Sequence, residues 1–405
     1  MTLDPSTFKV DSLEFSKEIE VPSSKSYANR VLVLAALAPQ EVIIENLPLS
    51  TDVLTMIDCL KQIGLQIEES DRGLVVKNSF PACELKANTI LKTKDGGTTN
   101  RFLIPLLARG KRQYQIEPEG HMRERPMEAL LDAISELGVF VEFKKRDSWL
   151  KIKGPINEEV KSVEIDCSQT TQFLTGLSLA LSNTNIQVIP KNLSVSLPYW
   201  ELTKSLIDLF QKPIAKFFNP VDFSSLSYPL ALAAVTGDCL VTNCHEQDKN
   251  QADSKFIELL SSMGARLDWK ENGLLCKRET LKAIDFDGSQ CPDVIPTLLY
   301  VCAFAEGTST ITNLEVLTHK ECDRFVEMIK MLDVFGVKHK VDYKNYSIKI
   351  TGPTSFTSDM FYLPPADHRM VMVAYLFLRT LGGGEILGNT EHVRKSFANF
   401  YEVMG

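Results

Sequence analysis

Apolar and polar positions along this chain follow one order, repeated. A long apolar run at helical spacing gives way to a short strand, then to a polar loop. An amphipathic helix follows, closes on an apolar residue plus glycine, and leads into another strand. The first copy runs VLVLAALAPQEVIIENL to MIDCLKQIGLQIEE, the second FLIPLLARGKRQYQIEPE to LLDAISELGVFVEF. The third, LSLALSNTNIQVIPKN to LTKSLIDLFQKPIAKF, lacks the glycine. The fourth is LALAAVTGDCLVTNC to FIELLSSMGARLDW, the fifth LLYVCAFAEGTSTITNL to MIKMLDVFGVKHKV, and the sixth VAYLFLRTLGGGEILGN to FANFYEVMG. The closing glycines Gly64, Gly138, Gly264, Gly336 and Gly405 recur about every 70 residues, with two copies in the longer gap.

That period is longer than most solenoid repeats and suits a compact unit of two helices and several strands. The glycines are expected just beyond helix ends, where left-handed backbone is wanted. EVIIEN, QYQIEP, NIQVIP and STITN read as strands. The fold class is therefore α/β, with two pseudo-symmetric domains of three units each. The Asn-Pro within KFFNPVDFSSLSYPL (216–230), beside the shortened third unit, marks the expected junction.

Composition adds limits. A chain of 405 residues, 44% hydrophobic and 24% charged, fits a globular protein of two or three domains. MTLDPSTFKV lacks a signal-peptide pattern, and no apolar run reaches membrane-spanning length. The nine cysteines are scattered without a CxxC pair, which points to reduced thiols in a cytoplasmic protein. A net charge of −8 argues against a nucleic-acid surface, so any anion site must be a local cluster of cations.

Seven polar clusters interrupt the scheme. VPSSKSYANR places Lys25, Ser26 and Arg30 at a helix start; it lacks the Walker glycines, and a phosphate cradle and an ordinary Ser-capped helix with a surface Lys and Arg fit it equally. KDGGTTNRFLIPLLA sets Gly97 and Arg101 at another start, as a ligand loop or an N-cap turn. In GHMRERPMEALLDAI, Arg125 precedes Pro126 at an expected first helical position, either opposite an anion or paired with Glu124. DCSQTTQFLTGLSLA offers Thr170, Thr171 and Gln172, for which plain capping is a strong alternative. In LTHKECDRFVEMI, Lys320, Glu321 and Arg324 fit a solvated i,i+4 helix face as well as a site. Asp367-His368-Arg369 open a thoroughly apolar helix, and HVRKSFANF places Lys395 at the start of the last one. No HExxH, CxxC or carboxylate-rich loop calls for a metal, and no cofactor is expected.

In this order, PSSKSYANR, GGTTNRFL, RERP, TTQFLTGL, LTHKECDR, ADHRM and RKSF resemble the EPSP synthase family of enolpyruvyl transferases over essentially the whole chain. The resemblance implies a two-domain inside-out α/β barrel, each domain built of three βαβαββ-like repeats. It also implies a discontinuous domain of residues 1–20 plus 222–405 and an inserted domain of 21–221, with hinges near 20 and 221. A monomer is expected, with no membrane or nucleic-acid partner, open when free and closing on its substrates. Those substrates are shikimate 3-phosphate and phosphoenolpyruvate, four anionic groups in all, which suits Arg forks and Lys point charges. By resemblance, shikimate 3-phosphate is held by Lys25, Ser26, Arg30, Thr170, Thr171, Gln172, Ser196, Tyr199, Asp293 and Lys320. Phosphoenolpyruvate is held by Lys25, Gly97, Arg101, Arg125, Gln172, Arg324, Arg369 and Lys395.

The family's reaction is addition then elimination, with Asp293 matching the base toward the 5-hydroxyl, Glu321 the proton donor at C3, and Lys25 and Lys395 assisting the departing phosphate. From its Pro-Asp context alone, Asp293 fits a helix N-cap equally well. The sequence departs from the family pattern at several positions. Thr318 stands where Arg is common, Thr170-Thr171 where Ser-Ser is, Leu197 where Lys is, Val316 where Asn is, and Asp95-Gly96 where Asn-Ala is. The nearest rival is a UDP-N-acetylglucosamine enolpyruvyl transferase, which normally carries a Cys before its R-P; GHMRERP has none. A non-catalytic repeat scaffold or DNA clamp is a rival of another class, opposed by the acidic charge.

Overall fold

The computed structural model describes residues 7–86, 88–144, 149–355 and 360–405; the first six residues of MTLDPSTFKV lie outside them. The chain divides into two compact units, Met1–Pro22 with Val221–Gly405, and Ser23–Pro220.

In the Ser23–Pro220 unit, the helices Lys25–Leu37, Gly97–Leu107 and Gln172–Ala180 are buried on nearly every side and pack on one another. A helix apolar all round is stable only when enclosed. Val31, Leu32, Val33 and Leu34 are each at most 3% exposed, and burying each such side chain contributes about 1.5–3 kcal/mol. The closest approach is between Gly97–Leu107 and Gln172–Ala180, where a Cβ on Gly176 would collide with the carbonyl of Arg101. Pro105, four residues after Arg101, supplies no N–H to that carbonyl. Around this core lie the amphipathic helices Thr51–Gln62, Glu128–Glu136 and Leu197–Phe210.

Two four-stranded sheets of this unit share one pairing scheme. In the first, Val42–Glu45 runs parallel to Lys216–Phe218 and antiparallel to Gly73–Val76, which pairs antiparallel with Ile67–Ser70. In the second, Gln113–Pro118 runs parallel to Thr89–Lys94 and antiparallel to Trp149–Lys153, which pairs antiparallel with Phe140–Lys144. The third copy is reduced to the parallel pair Ser162–Asp166 and Gln187–Lys191. Its hairpin is missing because the sequence after Phe210 goes directly to Lys216–Phe218, which joins the first sheet.

The Met1–Pro22 and Val221–Gly405 unit repeats the plan. Its buried helices are Phe223–Thr236, Ile295–Phe304 and His368–Thr380. Asp238–Val241 runs parallel to Ser16–Ile19 and antiparallel to Gly273–Lys277; Gly307–Thr312 runs parallel to Asp285–Asp287 and antiparallel to Ser347–Gly352. The third sheet has three strands, Thr7–Val10, Gly384–Leu387 and Met360–Tyr362. Each sheet is open, and the described strands form no closed barrel. The expected glycines follow their helices with positive φ: Gly64 at 115°, Gly138 at 81°, Gly264 at 101° and Gly336 at 65°. Left-handed geometry costs glycine little, which is why the residue recurs at these ends.

Candidate active site

The residues singled out from sequence fall into two sets, one in each unit. In the Ser23–Pro220 unit, Ser24 caps the helix Lys25–Leu37 by accepting from the Tyr27 N–H. Lys25 is the first helical residue, and its Nζ lies 2.9 Å from Asp52 Oδ2. Arg30 is not the surface residue that an ordinary capped helix would carry: it is 4% exposed. Its Nε donates to Thr203 Oγ1 (2.9 Å), Nη1 to the Ser26 carbonyl (2.8 Å) and Nη2 to the Tyr199 carbonyl (3.2 Å). All three acceptors are neutral. Burial lowers the Arg30 guanidinium to about 10, because a charge removed from water without a counter-ion is destabilised.

Arg101 is held in the same way. Its Nη1 donates to Gln172 Oε1 (2.7 Å), Nη2 to the Pro126 carbonyl (3.2 Å), and the guanidinium lies over the Phe173 ring. Burial, and then the Arg125 charge, push it well below its ordinary value. Two buried guanidiniums in mutual repulsion gain from an anion beside them. The Arg125 guanidinium packs against Gly97, where a Cβ would collide with it. Gln172 opens its helix, with its N–H bonded to Thr170 Oγ1 (3.2 Å) and its amide Nε2 to Thr98 Oγ1 (3.4 Å). Thr171 is the buried residue just before that helix. Ser196, just before Leu197–Phe210, is left-handed at φ 56°. A non-glycine residue there stores about 1–2 kcal/mol of strain, and such strain gathers at functional sites. Tyr199 sits in the following turn.

In the other unit, the cations meet carboxylates. Asp293 lies in the single turn Pro292–Val294 ahead of Ile295–Phe304, so it does not cap that helix. Its Oδ1 is 3.0 Å from Arg324 Nη1 and 3.4 Å from Lys320 Nζ, and its Oδ2 is 3.1 Å from Arg369 Nη2. Asp367 is fully buried and chelates Arg324 through Nε (2.7 Å) and Nη2 (3.3 Å), while Oδ1 caps the Arg369 N–H at 2.8 Å. Glu321 accepts from Lys395 Nζ at 3.3 Å and lies 2.9 Å from His368 Nδ1. Burial alone would raise Asp293, but Arg369, Lys320, Arg324 and His368 hold it well below the ordinary carboxylate range. Glu321 is likewise favoured as the acid by burial and held well below its ordinary value by His368, Lys395 and Arg324. Both are ionised at neutral pH. Glu321, Asp367 and His368 present ligand atoms within 4.8 Å of one another. Arg324 and Lys395 already occupy those carboxylates, so the donor set serves an ion-pair network better than a divalent metal.

Three sequence expectations need correction. Lys320 and Glu321 lie between the turn Glu315–His319 and the helix Arg324–Val334, not on a solvated helix face, because Asp323 caps that helix through the Val326 N–H. Pro126 is not the first helical residue: the helix begins at Glu128 after Met127. Lys395 ends the turn Thr390–Lys395 and does not open the last helix, which spans Phe400–Met404. Sequence reading missed Asp52, Thr203 and Tyr228, whose hydroxyl is 3.5 Å from Arg369 Nη1. Asp367 and His368, which it placed at the opening of a helix, also pair with Arg324 and Glu321. Asp52 sits in the first turn of its helix, an ordinary place for an acid.

A profile of the family described as EPSP synthase (3-phosphoshikimate 1-carboxyvinyltransferase) matches residues 11–220 and 210–404. A 3-phosphoshikimate 1-carboxyvinyltransferase of Photobacterium profundum is 32% identical, the match covering 89% of this chain and 89% of the relative. A chloroplastic one of Petunia hybrida is 31% identical over 96% of this chain and 83% of the relative. Among solved structures, an EPSP synthase from Acinetobacter baumannii shares the fold at a TM-score of 0.78 and 22% identity, over 98% of this chain and 97% of that one. The enolpyruvyl transferase NikO from Streptomyces tendae does so at 0.74 and 14% identity, over 99% and 96%. With the profile spanning both units and relatives this similar along most of its length, the chain belongs to the EPSP synthase (3-phosphoshikimate 1-carboxyvinyltransferase) family.

Proposed function

We propose that these two sets of residues carry out the family's reaction in this chain. The reaction transfers the enolpyruvyl group of phosphoenolpyruvate to the 5-hydroxyl of shikimate 3-phosphate and releases phosphate. The observation that carries the reading is the Asp293 carboxylate held ionised by three cations, Lys320, Arg324 and Arg369. A general base must be deprotonated and aimed when the substrate arrives, and the substrate anions then offset the three cations and restore the basicity that those cations lower. Asp293 takes the proton from the 5-hydroxyl as that oxygen attacks C2 of phosphoenolpyruvate.

Glu321 delivers a proton to C3 in the addition and removes one in the elimination. Free, it is a carboxylate. Phosphoenolpyruvate brings its own negative charge beside Lys395 and Arg324 and offsets the cations that hold Glu321 low, which raises it toward protonation. Glu321 takes that proton from solvent, with His368 Nδ1 2.9 Å away as its hydrogen-bond partner. Lys25 and Lys395 stabilise the departing phosphate, which carries away the proton that Asp293 took from the 5-hydroxyl. Lys25, Ser26, Arg30, Thr170, Thr171, Gln172, Ser196, Tyr199, Asp293 and Lys320 hold shikimate 3-phosphate; Lys25, Gly97, Arg101, Arg125, Gln172, Arg324, Arg369 and Lys395 hold phosphoenolpyruvate. The inside-out barrel, the hinges near 20 and 221, and a monomeric cytoplasmic enzyme belong to the same proposal.

Phosphate release from phosphoenolpyruvate, measured in chelator-treated buffer with shikimate 3-phosphate or UDP-N-acetylglucosamine as acceptor, tests it. Release with the shikimate acceptor alone is the expected result. Release with the sugar nucleotide alone, or with neither from a folded protein, overturns it.

A further inference from the structure

Lys25 is half-buried at the first position of its helix, and Asp52 reaches it from a separate one, Thr51–Gln62. The Asp52 side chain is 4% exposed, with Oδ2 2.9 Å from Lys25 Nζ. An acid that merely complements a helix dipole acts from the surface as well and needs no such burial. Asp52 is held from more than one side. Its carbonyl accepts from Thr99 Oγ1 at 3.2 Å. Its other carboxylate oxygen, Oδ1, lies 2.9 Å from where a Cβ on Gly96 would stand. The next residue of that turn, Gly97, carries the Arg125 guanidinium on its open face. One carboxylate therefore spans the distance between Lys25 and the Gly96–Gly97 turn.

We propose that Asp52 is a positioning residue of the reaction, fixing the Lys25 ammonium beside the Gly96–Gly97 turn where phosphoenolpyruvate is bound. The proposal rests on the enolpyruvyl-transfer reading above. A lysine on its four-carbon stem has about 2 kcal/mol of rotamer entropy to lose on being aimed, and a fixed counter-ion removes that freedom before substrate arrives.

The test is a double-mutant cycle on Asp52→Asn and Lys25→Met, with kcat and KM measured for each substrate. Asp52→Asn is expected to lower kcat/KM for phosphoenolpyruvate about 100-fold, the scale of a misplaced reacting group. In the Lys25→Met background, the same change is expected to cost nothing further. Asp52→Glu, which keeps the charge but moves it by one methylene, is expected to raise KM for phosphoenolpyruvate without shifting the melting temperature. This second variant decides the matter if Asp52→Asn does not fold. Wild-type kcat/KM in Asp52→Asn, a full additive loss on top of Lys25→Met, or an unaffected Asp52→Glu overturns the proposal. A wild-type protein inactive with shikimate 3-phosphate overturns the underlying reading instead, so the two failures are distinct.

Discussion

Replacing Asp367 separates two jobs that one carboxylate performs. Its charge pairs with Arg324 through two contacts, at 2.7 and 3.3 Å, and its Oδ1 caps the helix His368–Thr380 by accepting from the Arg369 N–H. Asn is as good an N-cap as Asp, so Asp367→Asn keeps the cap and removes the charge. Breaking a buried ion pair by deleting one partner costs about 3–5 kcal/mol. Arg324 keeps Asp293 at 3.0 Å, which places Asp367→Asn near the low end, about 3 kcal/mol. Asp367→Ala loses the cap as well, about 1 kcal/mol more. Hydrogen exchange along His368–Thr380 reads this locally, without assuming that both units unfold together. Protection is expected to fall in the order wild type, Asn, Ala. A loss under about 1 kcal/mol in Asp367→Asn would show that Arg324 is neutralised elsewhere. An Ala variant no worse than Asn would show that the cap contributes nothing.

Three further outcomes follow from the geometry. Asp293→Asn and Glu321→Gln should each stay folded by circular dichroism yet lose about 100-fold or more in kcat, the usual contribution of a general base or acid; near-normal turnover removes that residue from its role. Gly97→Ala places a methyl into the Arg125 guanidinium and should raise KM for phosphoenolpyruvate roughly 10-fold, matching an overpacking cost of about 1–3 kcal/mol. Asp293, Glu321 and Asp367 are all held below their ordinary values in the folded chain. Their contribution is therefore fully present above the unfolded-state range of roughly pH 4 and is lost as pH falls through the lower folded values. Exchange protection of His368–Thr380 should be level from about pH 7 to 5 and fall below about pH 4, with a shallower fall in Asp367→Asn.

Much of the architecture was written in the repetition. The closing glycines, the apolar-all-round helices and the shortened third copy each have a local cause, so a linear reading finds them. The electrostatics of the site have no such local cause. Arg324 and Asp367 are 43 positions apart, and Arg30 and Thr203 are 173 apart. Thr203 lies mid-helix with nothing in LTKSLIDLF to mark it as a guanidinium acceptor. Lys320, Glu321 and Arg324 fit an i,i+4 pattern that the chain does not use, because the Asp323 cap starts the helix after Lys320 and Glu321. Lys395 shows the same limit. HVRKSFANF has the composition of a helix start, yet the last helix forms five residues later.

The two sets differ in a way that matches the work proposed for each. Arg30 and Arg101 are buried against hydroxyl, amide and carbonyl oxygens, and burial lowers both guanidiniums. Such groups gain most from an incoming phosphate or carboxylate, since nothing charged must be displaced from them. Arg324 is the reverse: burial disfavours its charge, but Asp367 and Asp293 raise it above its ordinary value. A substrate anion at Arg324 competes with carboxylates already present and gains less net energy there. That cost has a chemical reason. Proton transfer needs carboxylates inside the site, and a carboxylate removed from water persists as an anion only if cations accompany it. Asp293 and Glu321 therefore require Lys320, Arg324, Arg369 and Lys395 as much as any substrate does. Neutral-lined arginines suit capture; carboxylate-paired ones suit acid–base chemistry.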